Sequence, residues 1–123
     1  MAIVTQDHLI QSIADAFQYI SSYHPPDFIR AMSRAYEKEE SGAARNAIAQ
    51  ILINSRMAAE GRRPVCQDTG IAVVFVKMGM SVKLEGSLSL QEMIDEGVRR
   101  AYTDPGNPLR ASVVSPSIGK RSN

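Results

Sequence analysis

At 123 residues, 44% of them hydrophobic, the chain falls in the size range of one domain with a modest core. Fourteen Lys and Arg against thirteen Asp and Glu leave a formal charge of +1, so no field favours nucleic acid or an anionic membrane, and neither is an expected partner. No apolar run nears the roughly 20 residues that span a bilayer. The polar N-terminus around Asp7 and His8 is unlike a secretory leader, and one cysteine permits no internal disulfide, so a reducing compartment, by default cytoplasmic, is expected.

Helices come first. Leu9, Ile10, Ile13, Ala16, Phe17 and Ile20 recur at the three-and-four spacing of one helical face, and Asp7 or Thr5 can cap its start. Pro25-Pro26 cannot continue that helix but can begin the next, whose apolar stripe is Phe28, Ile29, Met32, Ala35 and Tyr36. Ser41 is the candidate cap of a third helix, with Ala44, Ala47, Ile48, Ile51, Leu52 and Ser55 on its buried side and Gly61 ending it in a left-handed conformation. Residues 6 to 60 are therefore expected to be mainly helical.

The pattern then changes. Arg63-Pro64-Val65-Cys66-Gln67-Asp68-Thr69-Gly70 reads as a turn, because it sets a thiol, an amide, a carboxylate and a hydroxyl side by side. Ile71 to Val76 is short, continuous and β-branched, which predicts a strand buried on both sides. Gly79 interrupts it, and Ser81 to Leu84 is a candidate second strand in a hairpin-like return. Ser89 with Glu92 forms a capping box ahead of Leu90, Met93, Ile94, Val98 and Ala101, which predicts a fourth helix. Pro105, Gly106 and Pro108 break that helix and lead into a loop carrying Arg110, with Ala111 to Val114 as a candidate strand. The expected class is α+β: N-terminal helices, then a small sheet and a further helix, without repeats.

Cys66 is the residue on which function turns. A lone cysteine is commonly a small buried hydrophobe. The ligand or nucleophile reading gains from Arg62 and Arg63 just upstream, since cations favour a thiolate. It loses from the distance in sequence to His8 and His24, the two histidines that could serve as a base. Asp68 read alone closes its turn or binds a ligand. His24 reads as helix-junction packing, His8 as exposed, and the methionines, Met78 and Met80 included, as core filler rather than metal ligands.

The Arg-Pro-Val-Cys-Gln-Asp-Thr-Gly segment resembles the first cluster-ligand motif of the class I fumarate hydratases, iron–sulfur hydro-lyases related to L-tartrate dehydratase. The likeness runs through Tyr23-His24-Pro25, Ile51-Leu52-Ile53-Asn54 and Asn107-Pro108-Leu109-Arg110, in order. Gly119-Lys120-Arg121-Ser122-Asn123 is similar to the start of a longer family stretch, so residues 1–123 are expected to be the N-terminal portion of a larger catalytic domain, inactive alone.

The resemblance implies reversible hydration of fumarate to malate, a step of the tricarboxylic acid cycle, with a [4Fe-4S] cluster as Lewis acid. It implies Cys66 as one of three cysteine ligands, the other two lying outside this chain. Gln67 and Asp68 occupy substrate-contacting positions, Asp68 with a tentative catalytic role, and Arg110 matches a pocket arginine that grips one carboxylate of a small dicarboxylate substrate. Thr69 and Gly70 are expected to shape the backbone. L-tartrate dehydratase is the enzymatic alternative, and a cluster-free inactive fragment or helical interaction module is the alternative of another class. A homodimer, or a partner chain supplying the missing part, is expected, with apolar surface exposed for it.

Overall fold

The structure is a computed structural model that describes residues 1–67, 71–106 and 109. In chain order the elements are β1 (Ala2–Thr5), α1 (Gln6–Ser22), α2 (Pro26–Lys38), α3 (Gly42–Gly61), β2 (Val82–Glu85) and α4 (Leu90–Thr103). The mixed α+β class agrees with the sequence, as does the mainly helical stretch from residue 6 to residue 60. Two compact units divide these elements. The first takes Met1–Gln18 and the chain from Gln67 onward, and the second takes Tyr19–Cys66.

Apolar packing organises the first unit. Ile10 and Met93 are each 1% exposed, and Ala14, Phe17, Ala101 and Leu109 form a buried cluster with Ile13, Val98 and Tyr102 against it. Full burial of a side chain the size of Ile10 or Met93 stabilises by roughly 1.5–3 kcal/mol. Gly97 lets α1 and α4 meet closely. A Cβ there would lie 2.7 Å from Ile13 Cβ and 2.9 Å from the Ile10 carbonyl oxygen, a separation that real side chains do not tolerate. The expected capping box is present: the Ser89 hydroxyl accepts from the Glu92 N–H, and the Glu92 carboxylate accepts from the Ser89 N–H at 2.7 Å. Hydrogen bonds from Ser89 hold the Glu92 carboxyl below its ordinary range.

The strands depart from expectation. Residues 71–79 form no regular element, and Ile71, Phe75 and Met80 are 79%, 94% and 107% exposed. The run has the right composition for a strand, but a strand exists only where neighbouring backbone accepts and donates its hydrogen bonds. The expected hairpin is likewise absent. β2 pairs in parallel with β1, Ala2 opposite Val82 and Thr5 opposite Glu85. Met78 and Met80 are exposed and fill no core. The expectation of exposed apolar surface is met by this same stretch.

Gln6 secures the turn after β2, its side-chain oxygen accepting from the Ser87 and Leu88 N–H groups at 3.1 and 3.0 Å. Thr5 rather than Asp7 bonds the first turn of α1, through the His8 N–H at 3.4 Å. The buried row of α1 is Ile10, Ala14 and Phe17, while Ala16 and Ile20, expected inside, are exposed. That row follows the four-then-three step of one helical ridge, from which positions 16 and 20 are displaced.

The second unit is built differently. α2 contacts α3 and buries none of its residues completely. Pro25 takes the position before α2 without a side-chain capping bond, and Pro26 begins the helix, as the dipeptide predicts. Ser41 caps α3, accepting from the Ala44 N–H at 3.4 Å. Rings stack at the α1–α2 junction, Tyr19 on Tyr23 at 4.6 Å and His24 on Phe28 at 4.3 Å, and the Arg45 guanidinium lies over Tyr36 at 4.5 Å. Among the described residues no helix is long and apolar enough to cross a membrane.

Candidate functional site

The loop that carries Cys66 begins where α3 stops. Gly61 does not end the helix as expected. It stays helical, and Arg62 takes the left-handed conformation at φ 47°, ψ 50°. The Ala58 carbonyl then accepts from both the Arg62 and the Arg63 N–H groups, which satisfies the helix end.

Beyond Pro64 the backbone of Val65 is bonded at both polar groups. Its N–H donates to the Ser21 carbonyl at 2.8 Å, and its carbonyl accepts from the Asn54 side-chain amide at 2.6 Å. A carbonyl oxygen only accepts, so the amide nitrogen of Asn54 must be the atom that faces it. Cys66 follows as a free, exposed thiol. The reading of Cys66 as a small buried residue is therefore overturned. Gln67 is also exposed.

Asp68, Thr69, Gly70, Asn107, Pro108, Arg110 and the candidate strand Ala111 to Val114 lie outside the described residues. Of the expected site residues, the structure thus places Cys66 and Gln67. Among the described residues no group of three or more His, Cys, Asp or Glu side chains is arranged to hold a metal ion.

His24 serves the junction, as expected. Its Nδ1 lies 2.9 Å from the Ser55 hydroxyl, and Ser55 is buried on α3. One turn of α3 thereby holds two loops: Ser55 binds the α1–α2 junction through His24, and its neighbour Asn54 binds the chain ahead of Cys66. In the sequence Asn54 stands only within the Ile51-Leu52-Ile53-Asn54 likeness, with no periodicity or motif to assign it a role.

A depression of about 450 Å³ in the first unit is lined by Gln6, Leu88, Glu92, Glu96, Arg99 and Arg100 among others. Its two arginines are already engaged. Glu96 pairs with Arg99 at 2.6 Å and with Arg100 at 2.8 Å, and these hydrogen bonds hold its carboxyl at a pKa of about 2. Burial raises the Tyr102 phenol. Neither Cys66 nor Gln67 lines this depression.

Comparison with known proteins bears on the whole stretch. The model of a family described as fumarate hydratase (Fumerase) matches residues 10–123. A provisionally named L(+)-tartrate dehydratase subunit alpha of Methanocaldococcus jannaschii is 36% identical over 104 residues, covering 85% of this chain and 36% of that protein. A provisionally named class I fumarate hydratase of Geobacillus stearothermophilus is 28% identical over 117 residues, 94% of this chain and 22% of that protein. The L(+)-tartrate dehydratase subunit alpha of Escherichia coli is 29% identical over 108 residues, 86% and 34% respectively. The chain thus spans about a fifth to a third of the length of the curated relatives it matches.

Proposed function

This chain belongs to the fumarate hydratase (Fumerase) family, and from that premise we propose that it forms the N-terminal part of a hydro-lyase that reversibly hydrates fumarate to (S)-malate. The observation that carries the reading is the exposed thiol of Cys66, delivered on a bonded loop inside the matched stretch.

A thiol of that kind fits one coordination bond to iron, since thiolate is the protein donor that iron–sulfur clusters take. Cys66 is the residue of this chain that would hold a [4Fe-4S] cluster, with the remaining cysteine ligands supplied by other sequence. When bound, such a cluster supplies a Lewis acid for the departing hydroxyl. The chain's own residues bind and orient. Gln67 can donate to and accept from a substrate that carries a hydroxyl beside a carboxylate. Arg110 offers a planar fork to one carboxylate end, and Asp68 can accept from the substrate hydroxyl or orient a base.

Dehydration of L-tartrate is the second reading, favoured by the names of two of the relatives above, the 36% identical one included. Those names also say subunit alpha, which supports assembly with a partner chain. The test is turnover of fumarate, malate and L-tartrate by the intact protein after anaerobic reconstitution with iron and sulfide, beside Cys66→Ser. Loss of bound iron together with turnover in the Ser variant is expected, because a neutral hydroxyl is a far poorer iron ligand than a thiolate. Full iron content and normal turnover in that variant would remove Cys66 from the site.

A further inference from the structure

Between the end of α3 and Cys66 each residue is held by a backbone bond or a proline ring. Arg62 is held left-handed, and the Arg63 N–H is bonded to Ala58. Pro64 has a ring-locked φ and restricts the residue before it. At Val65 one of the two backbone bonds is made by a side chain, that of Asn54, so a single residue on the rigid helix decides where the last carbonyl before Cys66 points. Turning that peptide group would swing the Cys66 Cα and redirect its thiol, and without the Asn54 amide nothing described opposes the rotation on the carbonyl side.

We propose that Asn54 is a positioning residue that sets the direction of the Cys66 thiol by clamping the Val65 carbonyl. The inference rests on the reading of Cys66 as a cluster anchor for its purpose, and on the geometry of α3 for its mechanism. A cluster anchor gains from such a clamp, because a ligand already aimed at the metal loses little freedom when it binds.

Asn54→Asp tests it with nearly unchanged shape, replacing the N–H donor with a carboxylate that repels the carbonyl. Ser55→Ala is the control. It removes a bond from the same turn of α3 but leaves Val65 untouched. Asn54→Gln restores a donor one methylene farther out. Two measurements are made on the protein without metal: hydrogen exchange at the Val65 amide, and the iodoacetamide alkylation rate of Cys66, read by mass spectrometry on its peptide.

In Asn54→Asp, Val65 exchange is expected to quicken at least tenfold and Cys66 alkylation to change at least threefold, with helical content and the exchange of α3 amides unchanged. Asn54→Gln should lie between Asn54→Asp and the parent, and Ser55→Ala should match the parent at both residues. Val65 exchange and Cys66 alkylation within twofold of the parent in Asn54→Asp would overturn the clamp. So would equal effects from Ser55→Ala, which would trace the change to general loosening of α3. Iron retention by Cys66→Ser separates the two levels. If iron stays while Asn54→Asp redirects the thiol, the clamp stands and the cluster reading falls. If iron is lost while Asn54→Asp behaves as the parent, the clamp falls alone.

Discussion

The two units solve the same problem by different means. In the first, α1 and α4 interlock around Ile10, Phe17 and Met93, with Gly97 permitting close approach. In the second, α2 buries no residue completely, and hydrogen bonds at Asn54 and Ser55 join rings stacked at 4.3 and 4.6 Å in holding the loops. Apolar contact is non-directional and sums over area, so it gives stability. A hydrogen bond contributes only about 0.5–1.5 kcal/mol net but fixes an angle. In the second unit, directional bonds to Val65 hold the chain that leads into Cys66.

That contrast is broken most severely by Gly97→Ala. The added methyl would force Ile13 and the Ile10 carbonyl away, and overpacking of this kind costs roughly 1–3 kcal/mol, less the helix propensity that alanine gains. Thermal unfolding should show the loss, and hydrogen exchange should place it in α1 and α4 rather than α3. Equal stability in the variant would mean that the helices are not in van der Waals contact there.

Arg62→Gly sharpens the other side, with the opposite sign. A residue with a Cβ is strained in the left-handed region by roughly 1–2 kcal/mol and glycine is not, so the variant should gain about 1 kcal/mol in denaturant unfolding. A loss would indicate that the Arg62 side chain contributes more than its backbone costs.

The smallest effect belongs to Glu96. Its carboxyl titrates near 2 in the folded chain against an ordinary 4.5, so its contribution is complete above about pH 4.5 and is lost as pH falls through about 2. Solvent screens the pair, whose arginines are 48% and 43% exposed, so the gain is slight. The unfolding midpoints of the parent and Glu96→Gln should differ at pH 6 and converge toward pH 2. A gap that widens on acidification would assign the carboxylate a repulsive role.

What the sequence disclosed follows the same division. Local chemistry was legible: the Ser89–Glu92 box, the Ser41 cap and the Pro25-Pro26 start each lie within a few residues and appear as read. Strands were not. Ile71 to Val76 has the composition of one and pairs with no strand among the described residues, whereas Ala2–Thr5 becomes one because residues far along the chain pair with it. Helix ends are read from sequence only to within a residue or two, and here Arg62 rather than Gly61 turns left-handed. Around the site, the mixture of polar groups marked the Cys66 loop as special, but the Asn54 bond that steers it has no period. Asp68 and Arg110 stay tied to resemblance alone, since both lie outside the described residues.

The parallel pairing of β1 with β2 sets an order of events during synthesis. Ala2 meets Val82, so the first strand leaves the ribosome about 80 residues before its partner exists. At roughly 5–20 residues per second it waits several seconds as an unpaired edge. Closure over that separation raises the contact order and slows the final step, whereas α2 and α3 join neighbouring segments and can form at once. The loop that presents Cys66 can therefore be shaped before the first unit closes, and a nascent chain stalled before Val82 would carry the motif without its sheet.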